Sequence, residues 1–190
     1  MDISTIQLVT SNDDKLKEFR RFGLTLAIEK GLDLQEVAGT SEEVVIYKAI
    51  EAGENKLVED TILMIEGEEV VDIRNKIDEM ALFEECQAVW VVSLALLQAG
   101  NIYVATARVN GHIKAPKKRP ADAFGFDAYF HPSDNKEGLS LYALDALGEK
   151  DRYSARKRAV EAFVHQTSLC YILQAKDLAP WTGDYQKIDH

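Results

Sequence analysis

The stretch "LVTSNDDKLKEF", residues 8–19, predicts a β-strand that passes through a polar turn into an α-helix. The strand is expected over residues 6–10 and the helix over residues 13–22, with Gly23 as its stop signal. The amides at a helix N-terminus favour an anion, so turns of this kind often hold phosphate. This turn contains no glycine and is therefore not a P-loop. Any grip on a phosphate group would come from its side chains.

Three polar side chains of this turn, Ser11, Asn12 and Lys15, are the candidates for such a grip. Asn12 or Asp13 can cap the helix, and Lys15 lies one turn inside it, from where it can reach back over the helix start. The same residues are also typical of an ordinary helix cap followed by a solvated lysine, which is the commoner arrangement. The turn alone leaves both interpretations open.

The composition limits the classes of partner. The chain has 190 residues, a net charge of −10 and a pI near 4.9, which argue against binding of nucleic-acid backbones. A small anionic ligand bridged by a metal ion remains compatible with this charge. The longest apolar run, 88–97, is interrupted by Ser93 and falls far short of the roughly 20 residues of a membrane helix. The N-terminus has no signal-peptide pattern, so we expect a cytoplasmic protein that contacts neither nucleic acid nor membrane.

Strand and helix patterns follow one another along the chain and predict one α/β domain over residues 1–190, with a loosely ordered tail from about residue 180. The β-rich runs 88–97 and 102–109 predict a hairpin through "QAGN". Apolar periodicity predicts helices over the ranges 42–56, 75–85, 139–147 and 153–175.

Acidic residues offer a candidate metal site. Glu43 opens a helix that Ser41 is expected to cap, and Glu59 and Asp60 end the strand "LVED". Neighbouring residues on a regular strand point to opposite faces, so only one of this pair can face the same site as Glu43. Such a pair of carboxylates would suit Mg²⁺, which prefers one or two carboxylates together with waters and phosphate oxygens. Solvated surface acids in an acidic protein are the alternative.

Two later segments complete the set of candidates. The aromatic cluster "FGFDAYFHP", residues 124–132, includes Gly125 and Asp127 and could either stack on a flat ring or pack into the core. The segment "EKDRYSARKR", residues 149–158, is the most basic part of the chain. It could be a solvated helix face, or it could read a phosphate or a base opposite an acidic metal site.

In this order along the chain, these segments resemble the inosine triphosphate pyrophosphatases, a family that hydrolyses non-standard purine nucleoside triphosphates. The resemblance spans residues 8 to about 163, most of the chain. The matching positions are Thr10, Asn12, Lys15 and Glu18 for T-x-N-x-x-K-x-x-E, Glu43 and Lys48 for E-x-x-x-x-K, and Glu59, Asp60 and Thr61 for the acidic strand end. "FGFDAYF" nearly matches F-G-[YW]-D-P-x-F, and "EKDRYSAR" nearly matches E-K-x-x-x-S-H-R.

The resemblance implies both a fold and a reaction. The fold is a long, twisted mixed β-sheet flanked by helices, in two lobes with a central cleft, related to that of the Maf proteins and usually homodimeric. The reaction is Mg²⁺-dependent hydrolysis of a nucleoside triphosphate to a nucleoside monophosphate and pyrophosphate.

The resemblance also assigns roles to residues. Glu43 and Asp60 would bind Mg²⁺, and Asp60, together with Glu59, would orient or deprotonate the attacking water. The substrate-binding residues would be Thr10, Ser11, Asn12, Lys15 and Lys48 at the triphosphate, Phe124, Gly125, Phe126 and Asp127 at the base, and Lys150, Ser154 and Arg156 for the remaining base and phosphate contacts.

Three departures from the family pattern affect the base rather than the phosphates. Ala155 replaces the histidine of S-H-R, the segment 66–76 lacks a Gly-Pro-Gly aromatic motif, and Phe126 and Ala128 replace the expected residues of the aromatic loop. We therefore expect substrates such as ITP, dITP or XTP, with a base preference that has changed. The alternatives are a Maf-like pyrophosphatase of pyrimidine or modified nucleotides, and a catalytically silent nucleotide-binding module.

Overall fold

The computed structural model of the protein describes residues 1–10, 12–30, 34–70, 73 and 76–186. Within these residues, eight strands form one mixed sheet with helices around it, which confirms the predicted fold class. The strands are β1 Gln7–Val9, β2 Ala27–Glu29, β3 Lys56–Ile65, β4 Glu68–Glu69, β5 Gln87–Gln98, β6 Asn101–Ile113, β7 Phe130–Pro132 and β8 Cys170–Gln174. The α-helices are α1 Asp13–Arg21, α2 Ser41–Ala52, α3 Leu141–Ala146 and α4 Ala155–His165, and short 3₁₀ helices span Ile3–Thr5, Ile77–Phe83, Lys150–Tyr153 and Ala175–Asp177.

The sheet combines parallel and antiparallel pairs. Its strand order is β2-β1-β3-β5-β6-β7, with β4 beside β3 and β8 beside β6. The strand β1 runs parallel to both neighbours, with Leu8 opposite Ile28 on β2 and Leu57 on β3. The strands β4, β7 and β8 pair in antiparallel register. None of the described helices has the length and apolar composition needed to span a membrane.

Residue contacts divide the chain into two compact units. The first unit comprises Met1–Asp60, Val92–Ala107 and Arg156–His190, and the second comprises Thr61–Val91 and Arg108–Ala155. The first unit has a core that includes Val45, Ile46, Ala49, Val58, Ala95, Ile102 and Val104. In the second unit, the ring of Trp90 packs edge-on against Phe126 and Phe130.

The strand β1 and the helix α1 lie within the ranges predicted for them, residues 6–10 and 13–22. Asn12 caps α1 because its Oδ1 accepts hydrogen bonds from the backbone N–H groups of Asp14 and Lys15, at 3.0 and 3.2 Å. Leu16 and Phe19 on the inner face are both buried. The first part of the chain therefore takes its structure from local signals.

The helix α2 differs from its prediction at both ends. Thr40, rather than Ser41, is the N-cap, in a capping box in which Thr40 and Glu43 exchange hydrogen bonds. The helix ends at Ala52 because Gly53 adopts a φ of +87°, a conformation that favours glycine. The predicted range 42–56 was therefore too long, since Lys56 already begins β3.

The predicted hairpin of β5 and β6 is confirmed. The two strands are neighbours in the sheet, and they are joined by Ala99 and Gly100, whose φ angles are +51° and +73°. Two consecutive residues with positive φ are typical of a two-residue hairpin turn. Almost the whole of β5 is buried, as its apolar composition indicates.

The long helix predicted over residues 153–175 was wrong. The helix α4 ends at His165, Gln166 has a φ of +47°, and Cys170–Gln174 forms β8. This strand pairs with β6 from Ala105↔Cys170 to Asn101↔Gln174. The aromatic and β-branched residues of β8 suit a strand, and the hydrogen bonds of β6 outweigh its weak helical periodicity.

The tail after β8, predicted to be loosely ordered from about residue 180, has defined contacts as far as the structure describes it. The N–H of Ala38 donates to the carbonyl of Asp184 at 2.9 Å, and the N–H of Gln186 donates to the carbonyl of Glu36 at 2.8 Å. The ring of Trp181 packs edge-on against Tyr47, with centroids 5.2 Å apart. These contacts join the tail to the segment before α2 and to α2 itself.

Gly111 on β6 provides a test of the packing in the second unit. A Cβ atom at this position would lie 2.5 Å from the carbonyl oxygen of His131 and 2.6 Å from Cζ of Phe130. Because backbone and a buried ring cannot both move away, we expect Gly111→Ala to lower the free energy of unfolding by about 1–3 kcal/mol in urea titrations. Asn110→Ala, at the exposed neighbouring position, should change it by less than about 0.5 kcal/mol. Equal stabilities of the two variants would contradict this packing.

Candidate active site

The predicted site residues divide between the two units. Ser11 lies outside the described residues. The first unit contains the predicted phosphate and metal residues together with Arg156: Thr10, Asn12, Lys15, Glu43, Lys48, Glu59, Asp60 and Arg156. The second unit contains Phe124, Gly125, Phe126, Asp127, Lys150 and Ser154.

Glu59 on β3 is the centre of a buried ion-pair cluster. Its Oε2 lies 2.6 Å from Nζ of Lys15, and its Oε1 accepts hydrogen bonds from Nε and Nη2 of Arg156 at 3.1 and 3.0 Å. Nη1 of Arg156 also pairs with the carboxylate of Glu18. The exposed fraction of the Glu59 side chain is 4%, and that of Arg156 is 2%. The cluster therefore joins the helices α1 and α4 to the strand β3.

The two carboxylates of this cluster stabilise the charged form of the Arg156 guanidinium. Burial by itself lowers the pKa of the Arg156 guanidinium, but the attraction of Glu59 and Glu18 outweighs burial and raises that pKa. Two carboxylates hold this guanidinium in the interior of the first unit. The resemblance assigned Arg156 to the substrate. In the part of the chain that the structure describes, its side chain contacts Glu18 and Glu59. Glu18 matched the family pattern without an assigned role, and the structure shows it as the second partner of Arg156.

Asp60, the next residue on β3, has a different set of partners. It is half-buried, and its Oδ2 accepts a hydrogen bond from Oγ of Ser41 at 3.0 Å. Glu59 contacts α1 and α4, whereas Asp60 contacts the first residue of α2, as the alternation of side chains along a strand predicts. Of the two carboxylates, Asp60 is therefore the one that is partly open to solvent.

Electrostatics distinguish Asp60 further. Burial raises the pKa of the Asp60 carboxyl group, and the positive charge of Lys48 and the hydrogen bond from Ser41 only partly offset this effect. Lys48 itself pairs with the carboxylate of Glu36, whose negative charge also raises the pKa of Asp60. A carboxylate with a raised pKa is a stronger base than an exposed aspartate.

Glu36 is a residue of this site that the sequence analysis missed. It lies in an irregular segment before α2, where neither a helical nor a strand period draws attention to it. Its pairing with Lys48 joins residues 12 positions apart in the chain. Only the fold brings these two charges to Asp60.

Glu43 has a structural role in the helix start. Its Oε2 accepts hydrogen bonds from the backbone N–H and the hydroxyl of Thr40, at 2.8 and 3.0 Å. This geometry needs a glycine at position 39, because a Cβ atom there would lie 2.8 Å from the same carboxylate oxygen. The capping box thus fixes the orientation of the Glu43 carboxylate.

The donor atoms of Asp60 and Glu43 can be compared with the needs of Mg²⁺. Among the described residues, no three His, Cys, Asp or Glu side chains converge on a metal-binding arrangement. Mg²⁺ does not require such a cage, since it is commonly bound by one or two carboxylates together with waters and phosphates. Oδ1 of Asp60 and Oε1 of Glu43 accept no hydrogen bond from the part of the chain that the structure describes. These hard oxygen donors fit Mg²⁺ in this mode of binding.

The second group of predicted residues is largely buried. Nζ of Lys150 lies 2.5 Å from Oδ2 of Asp127 and 5.4 Å from the ring centroid of Phe124. Phe126 packs into the core against Trp90, with centroids 5.9 Å apart. Of the aromatic loop, Gly125 is exposed and Phe124 is half-buried. Phe126 therefore belongs to the core, and Phe124 is the more accessible of these two rings.

The end of the basic segment is also buried. Ser154 directly precedes α4 and is inaccessible to solvent, as is Ala155. The histidine that the family pattern expects at position 155 is thus replaced by a small residue in the interior. The chain therefore differs from the family pattern at a position that is packed in the interior.

Comparison with known proteins gives one result that bears on these two groups. No curated protein matches the chain. A model described as the Ham1 family matches residues 6–69 and 66–166, which together include all the site residues named above. The two matches meet at residues 66–69, where the segment without the Gly-Pro-Gly motif begins. The Ham1 family is that of the inosine triphosphate pyrophosphatases, so the resemblance is confirmed. The chain belongs to the Ham1 family.

Proposed function

We propose that the protein is a Mg²⁺-dependent pyrophosphatase of nucleoside triphosphates, which converts substrates such as ITP, dITP or XTP to a nucleoside monophosphate and pyrophosphate. Members of the Ham1 family are typically nucleoside triphosphate pyrophosphatases. The observation that carries the proposal is the half-buried carboxylate of Asp60, with a raised pKa and with the charge of Lys48 acting on it. Such a group has the properties of a general base beside an anionic substrate.

The start of α1 supports a role in phosphate binding. Oδ1 of Asn12 is occupied by the cap, which fixes the side chain and leaves its Nδ2 group to donate to an anion. Lys15 is held by Glu59 one turn inside the helix. The positive end of the helix and these two side chains together favour a phosphate group.

In the proposed reaction, water attacks a phosphorus atom, the bond between the α and β phosphates breaks, and the proton of the water passes to Asp60. Asp60 and Glu43 would hold Mg²⁺, which supplies positive charge that stabilises the departing pyrophosphate. The side chains of Lys48 and Lys15 would add further positive charge. The preferred base is expected to differ from that of other family members, because Ala155 stands where the family pattern has a histidine.

A substrate panel tests the proposal. Purified protein with Mg²⁺ would be incubated with the triphosphates of inosine, deoxyinosine, xanthosine and the ordinary bases, and the products would be separated. We expect a nucleoside monophosphate and pyrophosphate in equal amounts, fastest from the non-standard purines. Release of orthophosphate with a nucleoside diphosphate would contradict the proposed bond cleavage. Thermal stabilisation by nucleotides without any turnover would instead favour a silent binding module, and a preference for pyrimidines would favour a Maf-like activity.

The proposal includes a homodimer, which is usual for the family that the chain resembles. Light scattering during size-exclusion chromatography would measure the mass in solution. A mass close to twice the 21.3 kDa of the chain is expected. A monomer at concentrations that support full activity would exclude the dimer as the active form.

A further inference from the structure

Ser93 is a polar residue in the most apolar strand of the protein. It interrupts the run 88–97 on β5 and is completely inaccessible to solvent. A buried hydroxyl group is costly unless it is hydrogen-bonded. Its Oγ lies 3.0 Å from Oγ of Ser41 and 3.0 Å from Oγ1 of Thr106. Because Ser41 contacts Oδ2 of Asp60 at 3.0 Å, the side chains of Thr106, Ser93, Ser41 and Asp60 form a continuous series, called here the hydroxyl chain.

The hydroxyl chain has only one direction when Asp60 is ionised. A carboxylate can only accept, and each hydroxyl group has a single hydrogen to donate. Ser41 therefore donates its one hydrogen to Asp60. In its contact with Ser93, Ser41 can then only accept, so Ser93 must be the donor. By the same reasoning, Thr106 must donate to Ser93. Each hydroxyl group is thus oriented by the one behind it, starting from β6.

We propose that Ser93 and Thr106 are positioning residues which, through Ser41, hold Asp60 by its Oδ2 atom and so present Oδ1 to water and metal. This inference rests on the proposed function. The terminal torsion of an aspartate has a broad energy minimum, so a carboxylate without a fixed partner can rotate. The hydroxyl chain is anchored in three elements of the first unit, which are the start of α2 and the strands β5 and β6. Its end at Asp60 is therefore held rigidly.

The hydroxyl chain predicts an order among substitutions. Ser93→Ala removes the donor to Ser41 and should lower kcat for pyrophosphate release about tenfold, with KM changed less than about twofold. Thr106→Val keeps the shape but loses the hydroxyl group, and should lower kcat about threefold. Thr106→Ser keeps the hydroxyl group and should retain kcat within about twofold. The double variant Ser93→Ala/Thr106→Val should have the kcat of Ser93→Ala, because Thr106 acts only through Ser93.

A purely structural role of these residues would give a different pattern. It would make the two losses in kcat multiply, or make Thr106→Ser as harmful as Thr106→Val, and either result would overturn the inference. Urea unfolding of every variant would measure stability separately, so that a loss in kcat is compared only among variants that are folded at the assay temperature.

A binding measurement separates this inference from the proposed function. Mn²⁺ would be titrated in place of Mg²⁺, in the presence of a triphosphate with a non-hydrolysable α,β bridge, and followed by water-proton relaxation. We expect about tenfold weaker Mn²⁺ binding for Ser93→Ala and unchanged binding for Thr106→Ser. If the unsubstituted protein shows no turnover, the proposed function fails, and weaker binding by Ser93→Ala still supports the hydroxyl chain. Binding that is the same in Ser93→Ala, or no Mn²⁺ binding at all, overturns the inference.

Discussion

Asp60→Asn is expected to lower kcat for pyrophosphate release by at least about 100-fold, because an amide cannot accept the proton of the attacking water. The amide oxygen can still accept the hydrogen bond from Ser41, so the local structure should persist. Steady-state kinetics with the best substrate of the panel would measure the effect. Turnover within about tenfold of the unsubstituted protein would refute Asp60 as the base.

The same substitution should not destabilise the protein. The pKa of Asp60 is raised in the folded state, so the folded protein binds this proton more tightly than the unfolded chain does. Ionisation of Asp60 therefore lowers the free energy of unfolding as the pH rises above the pKa that Asp60 has in the unfolded chain. An uncharged amide at this position would avoid this loss, so the free energy of unfolding of the variant at neutral pH should be equal to or higher than that of the unsubstituted protein. A functional group that is costly to the fold is common in active sites.

The neighbouring carboxylate offers a matched control. Glu59→Gln is the same chemical change one residue earlier, but Glu59 is the buried partner of Lys15 and Arg156. It should lower the free energy of unfolding clearly, since the two cations lose a charged acceptor in the interior. If Glu59→Gln were as stable as Asp60→Asn, the different roles of the two carboxylates would be wrong.

Arg156→Met is expected to lower the free energy of unfolding by about 3–5 kcal/mol. Methionine fills much of the volume of arginine, so the main change is the loss of charge. Glu18 and Glu59 would then remain in the interior without the guanidinium that joins them. Urea titrations at neutral and acidic pH would measure the effect, which should become smaller at acidic pH because a protonated carboxyl group needs no cation.

Arg152→Met is the control for this prediction. It lies in the same basic segment, but its side chain is 70% exposed and its ion pair with Glu149 spans 3.6 Å. Exposed pairs of this kind contribute less than about 1 kcal/mol. Equal effects at the two positions would contradict a structural role of Arg156. A stable Arg156→Met variant with a raised KM would instead support the substrate contact that the family resemblance implied.

The features predicted correctly from the sequence depend on residues close together in the chain. Asn12 caps α1 by bonding N–H groups two and three residues later, and Ala99 and Gly100 turn β5 directly into β6. Such interactions are complete within a short segment, so composition and spacing reveal them. The motifs that identify the Ham1 family are of the same kind, because each is a short pattern and the order of the patterns is itself part of the sequence.

The segment after α4 shows where local patterns stop being sufficient. Its apolar spacing is compatible with a helix, yet residues 170–174 form β8 because β6 offers them a ladder of hydrogen bonds. The partner strand lies about 70 residues earlier in the chain. No property of the segment alone could reveal that this edge of the sheet was available.

The types of residue in the site could be read from the chain, but their partners could not. Alternation along β3 predicted that Glu59 and Asp60 would separate, without indicating which one would be buried. The choice depends on Arg156, 97 residues away in the chain, which holds Glu59 in the interior and leaves Asp60 to Ser41 and the charge of Lys48. Charge and hydrogen bonding act between atoms a few ångströms apart, whatever their separation in the chain. The short motifs of this protein therefore identified its family, and the packing of distant segments decided which of the two carboxylates is buried and which is partly open to solvent.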